Sequence, residues 1–128
     1  MSKILLVDDD TDFVRAMTIR LRAAGYDVVF AGDGYSATVK ARQEEPDLIL
    51  LDIGLPAGNG FAIIKRIRQL ISPLAMVPII VLTARDPLAN RELALQMGAD
   101  AFFQKPADNA ALLAKIEELI GQSKGGHT

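Results

Sequence analysis

The sequence predicts an α/β fold in which five parallel strands alternate with five helices. The strand candidates are short, continuous apolar runs, such as residues 4–7 and 47–52, and such runs are typical of strands buried on both faces. Longer segments between them repeat apolar residues at helical spacing. Strands that alternate with helices indicate a parallel sheet covered by helices on both sides.

Each element has a recognisable beginning and end in the sequence. The strands are predicted over residues 4–7, 26–31, 47–52, 77–83 and 100–105. The helices are predicted over residues 11–24, 35–45, 61–71, 87–97 and 108–120. Asp10 or Thr11 is expected to cap the first helix, and Gly25 and Gly98 are expected to end the first and fourth helices. A turn at residues 58–60 leads into the third helix.

Apolar stripes predict which side of each helix faces the sheet. In the third helix the predicted stripe is Phe61, Ile64, Ile67, Leu70 and Ile71. Its outer face carries Lys65, Arg66 and Arg68, which are expected to be solvated. In the fourth helix Leu93 and Met97 stand four residues apart on the expected core face.

The composition indicates one domain and excludes several classes of function. The chain has 128 residues, of which half are hydrophobic, so a core can form without disulfides or structural metal ions. We place the domain at residues 1–121 and interpret residues 122–128 as a flexible tail or the start of a linker. The absence of cysteine excludes disulfides, thiolate zinc sites and cysteine nucleophiles.

Charge and hydropathy further restrict the partners. Fourteen basic and 16 acidic residues give a net charge of −2, which provides no basic field for nucleic acid. The chain enters a strand at once, without a signal peptide, and no apolar run reaches the about 18 residues of a membrane span. We therefore expect a cytoplasmic protein that binds neither nucleic acid nor membrane by itself.

Charged and polar side chains stand at the carboxyl ends of four strands. Asp52 ends the third strand, and Asp8 and Asp9 follow the first. Thr83 and Lys105 end the fourth and fifth strands. Open parallel sheets bind ligands at this edge, so these groups are expected to meet. We interpret Asp52 as a nucleophile that accepts a phosphoryl group.

Crowded carboxylates repel both one another and an anionic phosphoryl donor. A hard divalent cation with oxygen ligands, such as Mg²⁺, resolves this conflict. Lys105 would add a compact positive charge opposite Asp52, and the Thr83 hydroxyl would bond a phosphoryl oxygen once one is present. The alternative is that Lys105 has no role in the site and forms a surface ion pair with Asp100.

With these residues placed, the chain resembles the receiver domain of bacterial two-component response regulators. The resemblance covers residues 3 to about 121. Its motifs are Val7-Asp8-Asp9, the segment 46–52 with Leu55-Pro56 and Gly60, the segment 78–85, Gly98-Ala99-Asp100 and Lys105-Pro106. It implies a flavodoxin-like (βα)5 fold with strand order 2-1-3-4-5.

The resemblance also implies a role for each site residue. Asp52 would take its phosphoryl group from a histidine kinase or a histidine phosphotransfer protein. Mg²⁺, or alternatively Mn²⁺, would be held by Asp8, Asp9, Asp52 and the backbone carbonyl of Gly54. The phosphoryl oxygens would be bound by Thr83, Lys105 and the backbone N–H groups near Ile53 and Ala84. In the family the Lys105-Pro106 bond is cis.

The same resemblance implies a switch and an output surface. Thr83 would move inward on phosphorylation and let Phe102 rotate, although Phe102 as an ordinary core residue is the alternative. The output face would comprise helix 87–97, strand 100–104 and helix 108–120, which would contact an output protein or domain or a second copy of the chain. Gly54 and Arg85 occupy positions that tune the phosphoryl lifetime. Whether the chain is a complete regulator or a receiver from a longer protein stays open.

Three alternative interpretations differ from this one at particular residues. A phosphatase of the haloacid dehalogenase type needs a second acid two residues after the nucleophile, where this chain has Gly54. A flavodoxin needs a Ser/Thr/Gly-rich phosphate loop, where this chain has Asp8-Asp9-Asp10. A degenerate receiver that serves only as an interaction module is the third alternative, although every expected site residue is present.

Overall fold

The computed structural model describes residues 1–55 and 60–125, in which strands and helices alternate throughout. The strands are β1 (Lys3–Val7), β2 (Asp27–Ala31), β3 (Leu48–Leu51), β4 (Ile79–Thr83) and β5 (Ala101–Gln104). The helices are α1 (Thr11–Ala23), α2 (Gly34–Glu44), α3 (Gly60–Arg68), α4 (Pro87–Met97) and α5 (Asn109–Gly125). A short 3₁₀ helix, Pro73–Met76, lies between α3 and β4. Pro56, most of the predicted turn before α3 and residues 126–128 fall outside the described residues.

All strand pairs are parallel, and the sheet order is β2-β1-β3-β4-β5, which confirms the predicted topology. The register aligns the carboxyl ends of the strands. Val7 lies opposite Leu51, and Thr83 lies opposite Gln104. The residues that follow these positions therefore emerge together at one edge of the sheet.

The helices cover the sheet on both faces, as the continuous apolar strands predict. One cluster of buried residues joins the sheet to α2, α3 and α4, and includes Ala41, Ile64 and Ala94. The other joins it to α1 and α5. Adjacent residues of β3 alternate between the two clusters, so both sides of this strand are fully buried. Among the described residues, no helix is both long and apolar enough to cross a membrane.

Carboxylates cap the amino ends of four helices, among them Asp108, which accepts from the Ala110 N–H at 3.1 Å at the start of α5. Asp10 caps α1 by accepting hydrogen bonds of 3.1 Å from the backbone N–H groups of Asp12 and Phe13, so the expectation of an Asp10 cap is confirmed. Asp33 and Asp86 cap α2 and α4 in the same way. Satisfying the free N–H groups of the first turn stabilises a helix start.

Two helix faces differ from the sequence prediction. Helix α3 ends at Arg68, so the helical phase no longer places Leu70 and Ile71 on the core stripe, and Ile71 is fully exposed. In α4 the buried residue is Ala94, whereas its neighbour Leu93 is exposed and Met97 packs partly buried against the core.

Helix α5 is longer than predicted and continues to Gly125 instead of ending at residue 120. Gly121 is exposed and meets no atom at the position of a Cβ, so it does not interrupt packing. A glycine in an exposed helix costs about 1 kcal/mol, which the preceding turns offset. Residues 121–125 are therefore helical, and the flexible tail and the domain limit at residue 121 stay predictions.

Arg68 is not on a solvated face, which corrects the interpretation of the basic stripe on α3. Its Nε and Nη2 donate to the carbonyl of Gly98 at 2.9 and 2.8 Å. Its Nη1 donates to the carbonyls of Ala75 and Val77 at 2.9 and 2.6 Å, and Nη2 also donates to Asp100 Oδ2 at 3.0 Å. Five donors in a rigid fork match these acceptors. Lys65 and Arg66 are exposed as predicted.

Candidate functional site

Side chains from the ends of four strands meet at the carboxyl edge of the sheet. Lys105 Nζ lies 2.6 Å from Asp8 Oδ2 and 3.5 Å from Asp52 Oδ2. Thr83 Oγ1 donates to Asp52 Oδ1 at 2.7 Å. The structure thus brings together the groups that strand-end reasoning selected.

Asp52 follows β3 directly and is tied to the neighbouring strand. Its backbone N–H donates to the carbonyl of Val7 at 2.9 Å, which fixes its position relative to Asp8. Its Oδ1 accepts hydrogen bonds from the Gly54 N–H at 2.8 Å and from Thr83. Its Oδ2 faces the Lys105 ammonium. The two carboxylate oxygens therefore have different environments, with hydrogen-bond donors on one and a charge near the other.

Asp8 is the most buried acid of the site, with 3% of its surface exposed. Its Oδ1 accepts from the Asp10 N–H at 2.9 Å, and its Oδ2 accepts from Lys105. Burial raises the pKa of the Asp8 carboxyl group above its ordinary value, while the hydrogen bonds from Lys105 and Asp10 oppose this rise. Asp8 is thus a buried carboxyl group whose charged form is stabilised by Lys105.

Lys105 reaches the centre of the site from the edge strand of the sheet. Its backbone N–H donates to the carbonyl of Thr83 at 2.7 Å, and its peptide bond to Pro106 is cis. The alternative pairing with Asp100 is wrong, because Asp100 binds Arg68 instead. Lys105 Nζ also lies 3.9 Å from the ring centroid of Phe13, a residue that the sequence analysis did not select. An isolated phenylalanine at this point of the sequence carries no signal of a contact with Lys105.

The three acids fit a hard divalent cation. One carboxylate oxygen from each of Asp8, Asp9 and Asp52 lies within 4.8 Å of the others. Asp9 is exposed and Asp8 is buried, so the group opens to solvent on one side. An all-oxygen donor set open to water suits Mg²⁺, which keeps several water ligands. The placement of the Gly54 carbonyl as a fourth ligand stays a prediction.

The two predicted switch residues both lie inside the domain. Thr83 is 1% exposed, and its hydroxyl oxygen also accepts from the Arg85 N–H at 3.3 Å. The hydroxyl donates to Asp52 Oδ1 here, and its bond to a phosphoryl oxygen stays a prediction. Phe102 is 7% exposed and packs in the cluster beneath α3 and α4.

Arg85 extends over the backbone at Gly54. A Cβ built on Gly54 would lie 3.3 Å from Arg85 Nε and 3.4 Å from Asp52 Oδ1. The missing side chain thus leaves room for a guanidinium beside the acceptor carboxylate. Ile53 has a buried side chain and Ala84 is exposed, and the roles of their N–H groups stay predictions.

This fold and this acidic site define a class of protein, the phosphoacceptor domains of signalling proteins. The family described as response regulator receiver domain matches residues 4–117 of the chain. The chain belongs to this family. The flavodoxin and haloacid dehalogenase alternatives are therefore set aside.

Individual relatives agree with this assignment. The alkaline phosphatase synthesis transcriptional regulatory protein PhoP of Bacillus subtilis is 38% identical over 122 residues, which cover 95% of this chain and 50% of the relative. The chain spans about half the length of the curated relatives it matches.

Solved structures show the same fold. A CheY-like receiver domain protein of Methanospirillum hungatei is 30% identical with a TM-score of 0.90, and the match covers 98% of both chains. The receiver domain of a sensor histidine kinase of Pseudomonas aeruginosa is 34% identical with a TM-score of 0.85, covering 94% of this chain and 98% of that one. That structure contains a magnesium ion coordinated in its active-site cleft.

Proposed function

We propose that Asp52 accepts a phosphoryl group from a phosphohistidine of a histidine kinase or a histidine phosphotransfer protein. The observation that supports this most directly is the contact set of Asp52, which combines Lys105 at 3.5 Å, Thr83 at 2.7 Å and two neighbouring acids. In the reaction an Asp52 oxygen forms a bond to phosphorus. The phosphorus–nitrogen bond of the donor breaks, and the imidazole nitrogen keeps the electron pair.

The residues of the site would stabilise this transfer mainly by position and charge. When bound by Asp8, Asp9 and Asp52, Mg²⁺ supplies the positive charge that reduces repulsion between the carboxylates and the incoming phosphoryl group. Lys105 carries a fixed positive charge beside Asp52 Oδ2 and can bind a phosphoryl oxygen there. The Thr83 hydroxyl can turn from Asp52 to a phosphoryl oxygen, and the N–H groups of Ile53 and Ala84 would complete the donors.

The proposed switch starts from the buried positions of Thr83 and Phe102. A phosphoryl group would exchange the Thr83–Asp52 hydrogen bond for a Thr83–phosphoryl bond and thereby draw Thr83 inward. Phe102 lies on the neighbouring strand and would respond through packing. Such a local charge event biases an equilibrium between two conformations.

The output surface proposed for this switch is formed by α4, β5 and α5. Leu88 and Leu95 are exposed on α4 and are seven residues apart, so they share one side of the helix. An exposed apolar side of this kind suits contact with an output protein or domain, or with a second copy of the chain. The specific partners and a cytoplasmic location remain predictions.

Slow hydrolysis would reset the domain, with water attacking phosphorus and Asp52 recovering its oxygen. Gly54 and Arg85 are the residues proposed to set the lifetime of the phosphoryl group. Gly54 has no side chain to exclude water, whereas the Arg85 guanidinium occupies the adjacent space. The two positions therefore have opposing tendencies, and no lifetime is predicted from them.

The deciding experiment is the intact mass of the protein after incubation with acetyl phosphate and Mg²⁺. One added phosphoryl group is expected in the wild type and in the control Asp12→Asn, which removes an exposed acid of α1. No addition is expected for Asp52→Asn or after chelation with EDTA.

A short lifetime is separated from a failed reaction by beryllium fluoride, a stable mimic of the phosphoryl group. If the wild type shows neither a mass increase nor binding of beryllium fluoride, the domain does not accept phosphoryl groups and is an interaction module. The same mimic with Mn²⁺ in place of Mg²⁺ tests the alternative ion.

A further inference from the structure

Within the part of the chain that the structure describes, the Lys105 ammonium contacts two carboxylates and one aromatic ring. Asp8 Oδ2 lies 2.6 Å and Asp52 Oδ2 lies 3.5 Å from Nζ. The third neighbour is the face of the Phe13 ring, whose centroid is 3.9 Å away. The aromatic ring thus lies at the reacting centre, although its residue type carries no charge.

The face of a benzene ring attracts a cation because its π electrons give it a negative potential. Water weakens this attraction, but the Lys105 side chain is only 16% exposed. The ring also keeps its charge distribution when the site reacts. Asp52 gains a phosphoryl group and Asp8 takes part in cation binding, so the attraction of Lys105 to both carboxylates changes during the cycle. The attraction to Phe13 does not.

The same acidic segment positions both the ring and the carboxylate partner of Lys105. Asp10 Oδ1 accepts the Phe13 N–H at 3.1 Å and thereby fixes this residue in the first turn of α1. The Asp10 N–H in turn donates to Asp8 Oδ1 at 2.9 Å. Phe13 also packs against the core cluster beneath α1 and α5. Its ring is therefore held in place independently of Lys105.

We infer that Phe13 is a positioning residue for phosphoryl transfer, because its ring face holds the Lys105 ammonium beside Asp8 and Asp52. This role rests on the proposed function of Asp52 as the acceptor. Leucine at this position would fill part of the space and preserve packing. It would leave the ammonium free to move away from the acceptor oxygen of Asp52.

The test replaces Phe13 with mono-, di- and trifluorinated phenylalanine, which keep the ring shape and progressively weaken its negative face. Phe13 borders a cleft of about 310 Å³, which gives the substituents room. The initial rate of phosphorylation by acetyl phosphate with Mg²⁺ is expected to fall stepwise along this series. Phe13→Leu is expected to be about 3- to 10-fold slower than the wild type, and Phe13→Tyr to remain within about 2-fold.

A matched control is Phe103→Leu, because Phe103 is partly buried against the same core cluster as Phe13. This variant is expected to react at the wild-type rate. A second measurement needs no reaction at all. In the NMR spectrum of the metal-free protein, the ε-methylene protons of Lys105 are expected at unusually high field because of the ring current. This shift is expected to disappear in Phe13→Leu and to remain in Phe103→Leu.

The outcomes separate this inference from the proposed function. A wild type that accepts no phosphoryl group refutes the function, whereas the NMR shift still reports the ring contact. Equal rates across the fluorinated series in a reactive protein overturn the inference, even if Phe13→Leu is slow, because the ring would then act through packing alone. If Phe13→Leu fails to fold, the fluorinated proteins still decide the question.

Discussion

Arg68 is expected to contribute strongly to stability although it lies on a helix surface. We consider Arg68→Met, which keeps an apolar chain over the same surface and removes the guanidinium. The change leaves the carbonyls of Gly98, Ala75 and Val77 and one oxygen of Asp100 without this donor.

The size of the effect follows from these acceptors. At about 1 kcal/mol for each acceptor, the loss sums to about 4 kcal/mol. Two effects reduce this loss of stability. The arginine side chain is 21% exposed, so water can reach part of the vacated site. Burial also lowers the pKa of the Arg68 guanidinium, because burying its charge has a desolvation cost. Replacing Arg68 by methionine removes this cost. We expect a net loss of about 2–4 kcal/mol.

The measurement is urea unfolding followed by circular dichroism, with a thermal scan as the second probe. A loss of this size lowers the melting temperature by about 6–15 °C in a domain of this length. The matched control is Arg66→Met, because Arg66 is exposed two residues earlier on the same helix. It should change stability by no more than about 0.5 kcal/mol. Equal stabilities of the two variants would refute the reasoning, since the five hydrogen bonds would then contribute no net stability.

Three further predictions concern the metal site, a tight turn and a helix cap. Excess Mg²⁺ should raise the melting temperature of the wild type but not that of Asp9→Ala. At a Mg²⁺ concentration of 100 times the dissociation constant, the expected gain in the free energy of unfolding is about 2.7 kcal/mol. Gly98→Ala should lose about 1–3 kcal/mol in urea unfolding, because φ is +118° and the new Cβ would lie 2.9 Å from Arg68 Cγ. The hydrogen bond from the Ser36 N–H lowers the pKa of Asp33 in the folded protein. The ionised cap therefore contributes its full stability above the ordinary pKa of 3.8, and this contribution is lost as pH falls through the lower folded pKa. Asp33→Ala should therefore differ from the wild type in unfolding experiments at pH 7, and the difference should shrink towards pH 2.

The topology could be predicted because the strands carry an unusually direct signal. Residues 48–51 are apolar at every position, and both sides of this strand are buried, so only a sheet covered on two faces satisfies them. The acceptor site could be predicted for a related reason. Parallel strands end at one edge, so polar residues directly after Val7 and Leu51 had to be neighbours.

Other features depend on contacts that no local pattern encodes. Arg68 looks like any exposed arginine until the chain brings Gly98 and Val77 beside it. Phe13 has the spacing of a core residue, and only the fold places Lys105 above its ring. The end of α3 cannot be predicted from the apolar pattern, because apolar residues continue past Arg68 while the helix does not.

The ion pair between Asp8 and Lys105 joins residues that are 97 positions apart in the chain. It also spans the ends of β3 and β4, which lie between β1 and β5 in the sheet. No segment of the chain therefore contains a working acceptor on its own, and none exists until the last strand has docked. A cell that synthesises this chain from its amino end would hold an unresponsive polypeptide until the sheet is complete. Copies truncated before β5 are therefore expected to lack the complete cluster of acidic and basic side chains.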